Sequence, residues 1–139
     1  MLVYCDSMIL IYYLDSVGPF HDRAAARLAL LRAAGDEIVV SDLTRLECRV
    51  NPIRSGDALA LAKFDAFFAL PDVRYAPLTS AAINRATHLR ATRSFRTADA
   101  LHLGAAIEVG CEVFLTNDAG LGSVPGVKVE QLWPFVPSS

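Results

Sequence analysis

Short apolar runs alternate along this chain with longer stretches in which apolar residues recur at helical spacing. Residues 2–5 form the first run, which predicts a buried strand that ends at Asp6 and leads into a helix through about residue 14. Gly18 and Pro19 then break the chain. Residues 21–34 place apolar side chains three and four positions apart, which predicts an amphipathic helix.

The alternation continues through the rest of the chain. Further strands are predicted over residues 37–41, 73–77, 112–115 and 127–129, and further helices over residues 42–50, 55–70, 80–92 and 97–109. Pro52 is expected to interrupt the first of these helices, Ser55 and Asp57 to open the second, and Ser80 and Thr97 to cap the last two. Strands that alternate with helices imply a parallel sheet with right-handed crossovers. The sequence therefore predicts an α/β fold, with one domain over residues 1–139 whose central, mostly parallel sheet of four to five strands is flanked by helices.

Composition adds expectations about assembly and location. The chain is 53% hydrophobic with a mean hydropathy of +0.35, which is high for a small monomer, so a homodimer is expected to cover apolar surface. No apolar run reaches the roughly 18 residues of a membrane span, and the N-terminus lacks the regions of a signal peptide. We therefore expect a cytoplasmic protein. Cys5, Cys48 and Cys111 are expected to be reduced, buried thiols, and the aromatic tail over residues 133–139 to pack its rings and then fray.

Four acidic residues carry the candidate chemistry. Asp6, Glu47, Asp99 and Asp118 each lie where a predicted strand gives way to a helix or loop. Because the carboxyl ends of parallel strands share one edge of a sheet, we expect these side chains to converge there. Carboxylates packed so closely need a cation. With no His or Cys beside them the ligands are all oxygen, which suits Mg²⁺ or Mn²⁺ and argues against zinc.

Each of these residues also has a purely structural interpretation. Asp6 could cap the first helix, and Glu47 could complete a capping box with Thr44. Asp99 would be favoured by a helix dipole at a helix start, and Asp118 precedes Ala-Gly in a common turn arrangement. These interpretations do not explain why all four residues fall at the same predicted edge.

Four segments extend the pattern beyond the acids: YCDS at residues 4–7, SDLTRLE at 41–47, TADALHL at 97–103 and FLTND at 114–118. In order and spacing they resemble the motifs of the PIN-domain family, and most closely those of its VapC-type toxins. The resemblance implies a Mg²⁺-dependent ribonuclease with Mn²⁺ as a possible substitute. It implies Asp6 and Asp99 as primary metal ligands, Glu47 and Asp118 as the rest of an acidic pocket, and a lining formed by Ser7, Thr116 and Asn117. It also implies a cognate VapB-type antitoxin whose C-terminal segment would occupy the acidic groove.

Other residues and other functions stay open at this point. The net charge of −2 gives no global attraction to nucleic acid, so RNA binding must come from local clusters such as Arg93 and Arg96, for which a solvated surface is an equal alternative. His102 could face the pocket, although a packed helix position is the simpler interpretation. A non-catalytic PIN-like binding module is one alternative function. A metal-dependent phosphohydrolase with an aspartyl nucleophile is another, but such enzymes usually carry a second Asp where this chain has Met8.

Overall fold

A parallel sheet of five strands forms the centre of the computed structural model, which describes residues 1–133. The strands are β1 (Leu2–Cys5), β2 (Glu37–Val40), β3 (Val73–Tyr75), β4 (Val113–Thr116) and β5 (Lys128–Gln131). Their order across the sheet is β3-β2-β1-β4-β5, and every neighbouring pair is parallel. This confirms the predicted α/β class and the parallel sheet, and β1 is its central strand.

Six α-helices cover the two faces of this sheet within the described residues. They are α1 (Ser7–Asp15), α2 (Pro19–Ala33), α3 (Asp42–Ser55), α4 (Ala58–Phe68), α5 (Ser80–Thr92) and α6 (Thr97–Glu108). Side chains alternate along β1, so Val3 and Cys5 join a core with α1 to α4, while Tyr4 joins a second core with α5 and α6. Burial on both faces explains why the strands read as continuous apolar runs.

The helix that follows β2 is longer than predicted. Pro52 was expected to interrupt it, but α3 continues through this residue to Ser55. Pro52 lacks a backbone N–H and so removes one helical hydrogen bond, yet its ring is buried and the helix closes normally at Gly56, whose φ is +70°. Ser55 therefore ends α3 rather than opening α4, and Asp57 alone caps α4 by accepting a hydrogen bond from Ala60 N at 3.0 Å.

Two further helix caps differ from the prediction. Thr79, not Ser80, caps α5, because Thr79 Oγ1 accepts a hydrogen bond from Ala82 N at 3.1 Å. Arg96 is the N-cap residue of α6 and makes no side-chain cap, and Thr97 is the first helical residue. In both places the observed cap lies one residue before the predicted one.

The remaining expectations are met only in part. Cys5, Cys48 and Cys111 are buried free thiols, as predicted. None of the helices among residues 1–133 has the length and apolar character needed to cross a membrane. The prediction for the aromatic tail falls mostly on residues 134–139, outside the described residues. The boundary of one domain over residues 1–139 stays a prediction.

Candidate active site

All four predicted acidic residues line one cavity of about 790 Å³. Asp6 directly follows β1 and Asp118 lies two residues after β4, so both stand at the carboxyl edge of the sheet. The prediction that Asp99 and Glu47 also lie at strand ends is wrong, because Asp99 lies in the first turn of α6, which follows α5, and Glu47 lies within α3. The fold therefore brings together four carboxylates that are distant in sequence. As they stand, no three His, Cys, Asp or Glu side chains in residues 1–133 are close enough to hold one metal ion.

Asp6 has two hydrogen bonds that fix its carboxylate. Oδ1 accepts from Ser7 N at 2.7 Å, which caps α1, and Oδ2 accepts from Thr116 Oγ1 at 2.9 Å. The capping interpretation is thus correct, and the same carboxylate also lines the cavity. Burial raises the pKa of Asp6, and the hydrogen bonds only partly oppose that shift. An ionised Asp6 is consequently a destabilised charge that a cation would stabilise.

Glu47 does not form the predicted capping box. That box is made by Ser41 and Thr44, with Ser41 N donating to Thr44 Oγ1 at 3.1 Å. Glu47 Oε1 instead accepts hydrogen bonds from Ser7 Oγ at 2.7 Å and from His102 Nε2 at 2.5 Å. Burial disfavours the charged form of Glu47, but the hydrogen bonds from His102 and Ser7 outweigh it and leave the pKa of this carboxyl below its ordinary value.

A guanidinium contacts the other two carboxylates. Arg96 Nε donates to Asp99 Oδ2 at 3.0 Å, and Arg96 Nη2 lies 3.8 Å from Asp118 Oδ2. The Asp99 side chain is 11% exposed, whereas that of Arg96 is 79% exposed. Asp118 Oδ1 also accepts from Gly120 N at 2.9 Å, so the turn interpretation of Asp118 is correct as well. This part of the cavity already attracts a positive charge.

The predicted lining residues do different things. Ser7 lines the cavity and donates to Glu47, whereas Thr116 donates to Asp6 but is fully buried and not among the residues that line the cavity. Asn117 lines the cavity but holds neighbouring structure, because its Oδ1 accepts from Trp133 N at 3.1 Å and its Nδ2 donates to Tyr12 Oη at 3.4 Å. Arg93 is not among the residues that line this cavity, and its Nη1 donates to the Ser123 carbonyl at 2.9 Å.

His102 is a packed residue that also reaches toward the pocket, so both interpretations left open by the sequence hold in part. The packed position was expected, and the residue is indeed 1% exposed. Its two ring nitrogens, however, contact Glu47 and the hydroxyl of Tyr4. The spacing contained a signal, because His102 lies three residues after Asp99 on the same helix face, and Tyr4 lies on β1 two residues before Asp6, which directly follows that strand.

The chemistry of the donor set fits a hard divalent ion, although in residues 1–133 the carboxylates would have to move closer together to hold it. The cavity offers carboxylate, hydroxyl and amide oxygens, and His102 Nε2 is engaged by Glu47. Oxygen ligands of this kind suit Mg²⁺ or Mn²⁺. Arg96 shows that Asp99 and Asp118 accept a cation in this structure.

Comparison with known proteins agrees with the motifs quoted from the sequence. The family model of the PIN domain matches residues 3–127. This chain belongs to the PIN-domain family. The resemblance inferred from the sequence is therefore confirmed, and the five-stranded sheet with its flanking helices is the fold of a PIN domain. No curated protein sequence matches the chain at a significant level.

Several solved structures share the fold of this PIN domain. VapBC2 from Rickettsia felis, bound to a promoter DNA fragment, superposes with a TM-score of 0.78 at 18% identity, covering 94% of this chain and 98% of that chain. A toxin-antitoxin complex from Klebsiella pneumoniae gives 0.71 at 18% identity, covering 96% and 99%. VapC20 from Mycobacterium tuberculosis, described as a toxin that cleaves the sarcin-ricin loop, gives 0.65 at 16% identity, covering 81% and 86%. At these identities the likeness shows the fold alone.

Proposed function

We propose that this PIN domain is a divalent-metal-dependent endoribonuclease that hydrolyses RNA phosphodiester bonds. The observation that carries the proposal is the convergence of Asp6, Glu47, Asp99 and Asp118 on one open cavity. Membership of the PIN-domain family supports it, as does the shared fold with a toxin described as cleaving the sarcin-ricin loop. A cavity lined by four carboxylates would bind a polyanion only with a cation between them.

Asp6 and Asp99 would hold Mg²⁺, for which Mn²⁺ is a possible substitute. The bound ion would neutralise charge on the scissile phosphate and make water a better nucleophile near neutral pH. Asp118 or Glu47 would orient the attacking water or hold a second, weaker ion. Ser7 and Thr116 would keep Glu47 and Asp6 in place through their hydroxyls.

The two arginines that precede Asp99 have different surroundings. Arg96 contacts the cavity carboxylates with an exposed guanidinium, so it is the better candidate for binding the RNA backbone beside the reacting phosphate. Arg93 is tied to the loop at Ser123 and would contact RNA farther from the carboxylates. Neutralising either residue should weaken RNA binding and reduce its salt dependence, because phosphate contacts release counterions.

The same proposal includes partners. A cognate VapB-type antitoxin would block the acidic groove with its C-terminal segment, as the resemblance to VapC-type toxins implies, and several structures with this fold are VapBC or other toxin-antitoxin complexes. A homodimer in the cytoplasm is also proposed. The exposed apolar side chains of Leu46, Val50 and Ile53 on α3 provide surface that a partner could cover. Light scattering on the purified chain tests the dimer.

Cleavage of total RNA by the purified, partner-free protein tests the central proposal. Wild type is assayed with Mg²⁺, with Mn²⁺ and with chelator, beside Asp6→Asn and Asp99→Asn, which remove ligand charge with little change of shape. Asp42→Asn is the matched control, because Asp42 is an exposed aspartate at the start of α3 that does not line the cavity. We expect metal-dependent cutting by wild type and by the control, and loss of cutting in both cavity variants.

Two results would contradict the proposal. Cutting that survives in chelator, or in both cavity variants, would place the activity elsewhere or in a contaminant. Metal binding by a folded wild type that cuts no RNA would instead favour a non-catalytic binding module. The phosphohydrolase alternative has no support from the cavity, where Met8 presents a thioether at the position of the second aspartate.

A further inference from the structure

Both hydrogen bonds to the Glu47 carboxylate end on the same oxygen. Ser7 Oγ and His102 Nε2 both donate to Oε1, and no hydrogen bond to Oε2 is found among residues 1–133. The oxygens of a carboxylate only accept hydrogen bonds, so His102 Nε2 is the donor to Oε1, as Ser7 Oγ is. Glu47 therefore has one oxygen that is held and one that remains available in the cavity wall.

The imidazole that holds Oε1 is itself held on its other side. His102 Nδ1 lies 2.6 Å from Tyr4 Oη, and the two rings meet edge to face with centroids 5.6 Å apart. Tyr4 Oη donates to Ser41 Oγ at 2.8 Å and lies 3.3 Å from Thr44 Oγ1. Tyr4, Ser41, Thr44 and His102 are all at most 1% exposed. Water cannot replace any of these contacts, so the orientation of the imidazole is fixed by protein groups alone.

This buried series of hydrogen bonds joins the elements that supply three of the four carboxylates. Tyr4 lies on β1, two residues before Asp6, and His102 lies on α6, three residues after Asp99. Ser41 and Thr44 form the N-terminal cap of α3, which carries Glu47. The phenol ring of Tyr4 is fixed in turn by stacking on Phe114, with centroids 5.2 Å apart and planes 7° from parallel.

A free glutamate side chain has several rotamers, and only some of them would direct an oxygen into the cavity. Two donors on Oε1 select one rotamer, and the Tyr4 hydroxyl prevents the imidazole donor from turning away. We propose that His102 is a positioning residue that fixes the Glu47 carboxylate so that Oε2 faces the cavity, ready to bind a divalent cation. The inference rests on the proposed function, because it assigns Glu47 to the same cavity chemistry.

The test measures binding of Mn²⁺ alone by electron paramagnetic resonance, with unfolding followed in the same samples. His102→Leu removes both hydrogen bonds. His102→Gln keeps an N–H donor that can reach Glu47, and Tyr4→Phe keeps the ring stacking while removing the hydroxyl. His88→Leu is the control, because His88 is an exposed histidine on α5. Loss of a residue that orients a metal ligand typically costs about 10- to 100-fold in metal affinity.

We expect His102→Leu to weaken Mn²⁺ binding by that factor, His102→Gln to recover most of the loss, and Tyr4→Phe to give a smaller loss in the same direction. The inference is overturned if His102→Leu folds and binds Mn²⁺ like wild type, or if His102→Gln binds no better than His102→Leu. If His102→Leu does not fold, His102→Gln and Tyr4→Phe provide the test. Wild-type Mn²⁺ affinity in a folded Tyr4→Phe then overturns the inference that the Tyr4 hydroxyl holds His102 in place.

Measurements of RNA cleavage separate this inference from the proposed function. With saturating Mn²⁺, a positioning role predicts that His102→Leu lowers kcat more than it changes KM for RNA, and that His102→Gln recovers most of kcat, because Glu47 acts at the reacting centre and not on RNA binding. Unchanged Mn²⁺ affinity in the variants of an active wild type overturns only the role of His102. A wild type that binds no Mn²⁺ overturns both proposals.

Discussion

Arg96 Nε lies 3.0 Å from Asp99 Oδ2, so a cavity carboxylate is already paired with a cation from its own chain. A divalent ion that binds Asp99 must share this carboxylate with the guanidinium or displace it. Arg96→Gln removes the competing charge, and because exposed ion pairs are weak and screened, we expect Mn²⁺ to bind only a few-fold more tightly. Isothermal titration at two ionic strengths measures the change.

Arg93→Gln is the matched control for that experiment, because Arg93 bonds a backbone carbonyl and does not line the cavity. Its Mn²⁺ affinity should equal that of wild type. A weaker affinity in Arg96→Gln would mean that Arg96 supports the metal site instead of competing for it.

The stability of the metal-free protein should depend on pH through Asp6. Burial raises the pKa of this carboxyl in the folded state above its unfolded value of about 3.9. The folded protein therefore binds this proton more tightly, so the stability contributed by Asp6 is present below pH 4 and falls as pH rises through the raised pKa. Adding Mg²⁺ or Mn²⁺ should restore stability, because the ion binds the folded state.

Thermal melting of wild type and Asp6→Asn, from below pH 4 upward through the raised pKa of Asp6, isolates the contribution of this carboxyl to stability. The comparison is needed because Glu47 acts in the opposite direction: its lowered pKa contributes stability above the unfolded value that is lost as pH falls through the folded value. The melting temperature of wild type should fall relative to that of Asp6→Asn as pH rises. A constant difference between the two proteins, or melting that is indifferent to millimolar divalent ion, would contradict the proposed site.

Thr116 should matter for stability because its buried hydroxyl has two hydrogen-bond partners. Oγ1 donates to Asp6 Oδ2 at 2.9 Å and accepts from Asp118 N at 3.1 Å, and the residue is fully buried. Thr116→Val keeps the shape but leaves Asp118 N without this partner, which should lower the free energy of unfolding by about 1–3 kcal/mol. Urea denaturation measures the loss.

Thr87→Val provides the comparison, since Thr87 is exposed on α5 and its hydroxyl, among residues 1–133, donates only to the Ile83 carbonyl of its own helix. Its substitution should change stability by no more than about 0.5 kcal/mol. Equal losses in the two variants would show that the Thr116 hydroxyl has no special structural role.

Local patterns in the sequence were sufficient for the fold and for the positions of Asp6 and Asp118 at the carboxyl edge of the sheet, but not for those of Asp99 and Glu47. The apolar run at residues 2–5 became β1, and the position of Asp6 directly after it followed from strand geometry. Such patterns could not predict how Glu47 is held, because His102 is 55 residues away and the contact depends on the packing of α3 and α6.

The predicted helix break at Pro52 was wrong for a related reason. A proline ordinarily breaks a helix, but here a buried ring packs well enough to keep α3 continuous.

The position of α6, which carries Asp99 and His102, depends on a close approach to α5 at Gly104. A Cβ at Gly104 would lie 2.5 Å from the Ala82 carbonyl oxygen and 3.3 Å from Ala86 Cβ. Alanine is favoured over glycine within helices by roughly 1 kcal/mol, so an uncrowded site would be stabilised by Gly104→Ala. Here the obstacle is backbone, which cannot move aside without separating the helices. We therefore expect Gly104→Ala to lower the free energy of unfolding by about 1–3 kcal/mol, as in other overpacked cores, measured by urea denaturation.

The control is Ala98→Gly, in the first turn of α6. It measures the difference in helix propensity between alanine and glycine at a position outside the contact with α5. A Gly104→Ala protein as stable as wild type would show that α5 and α6 can separate freely, and that their close packing does not fix the position of Asp99.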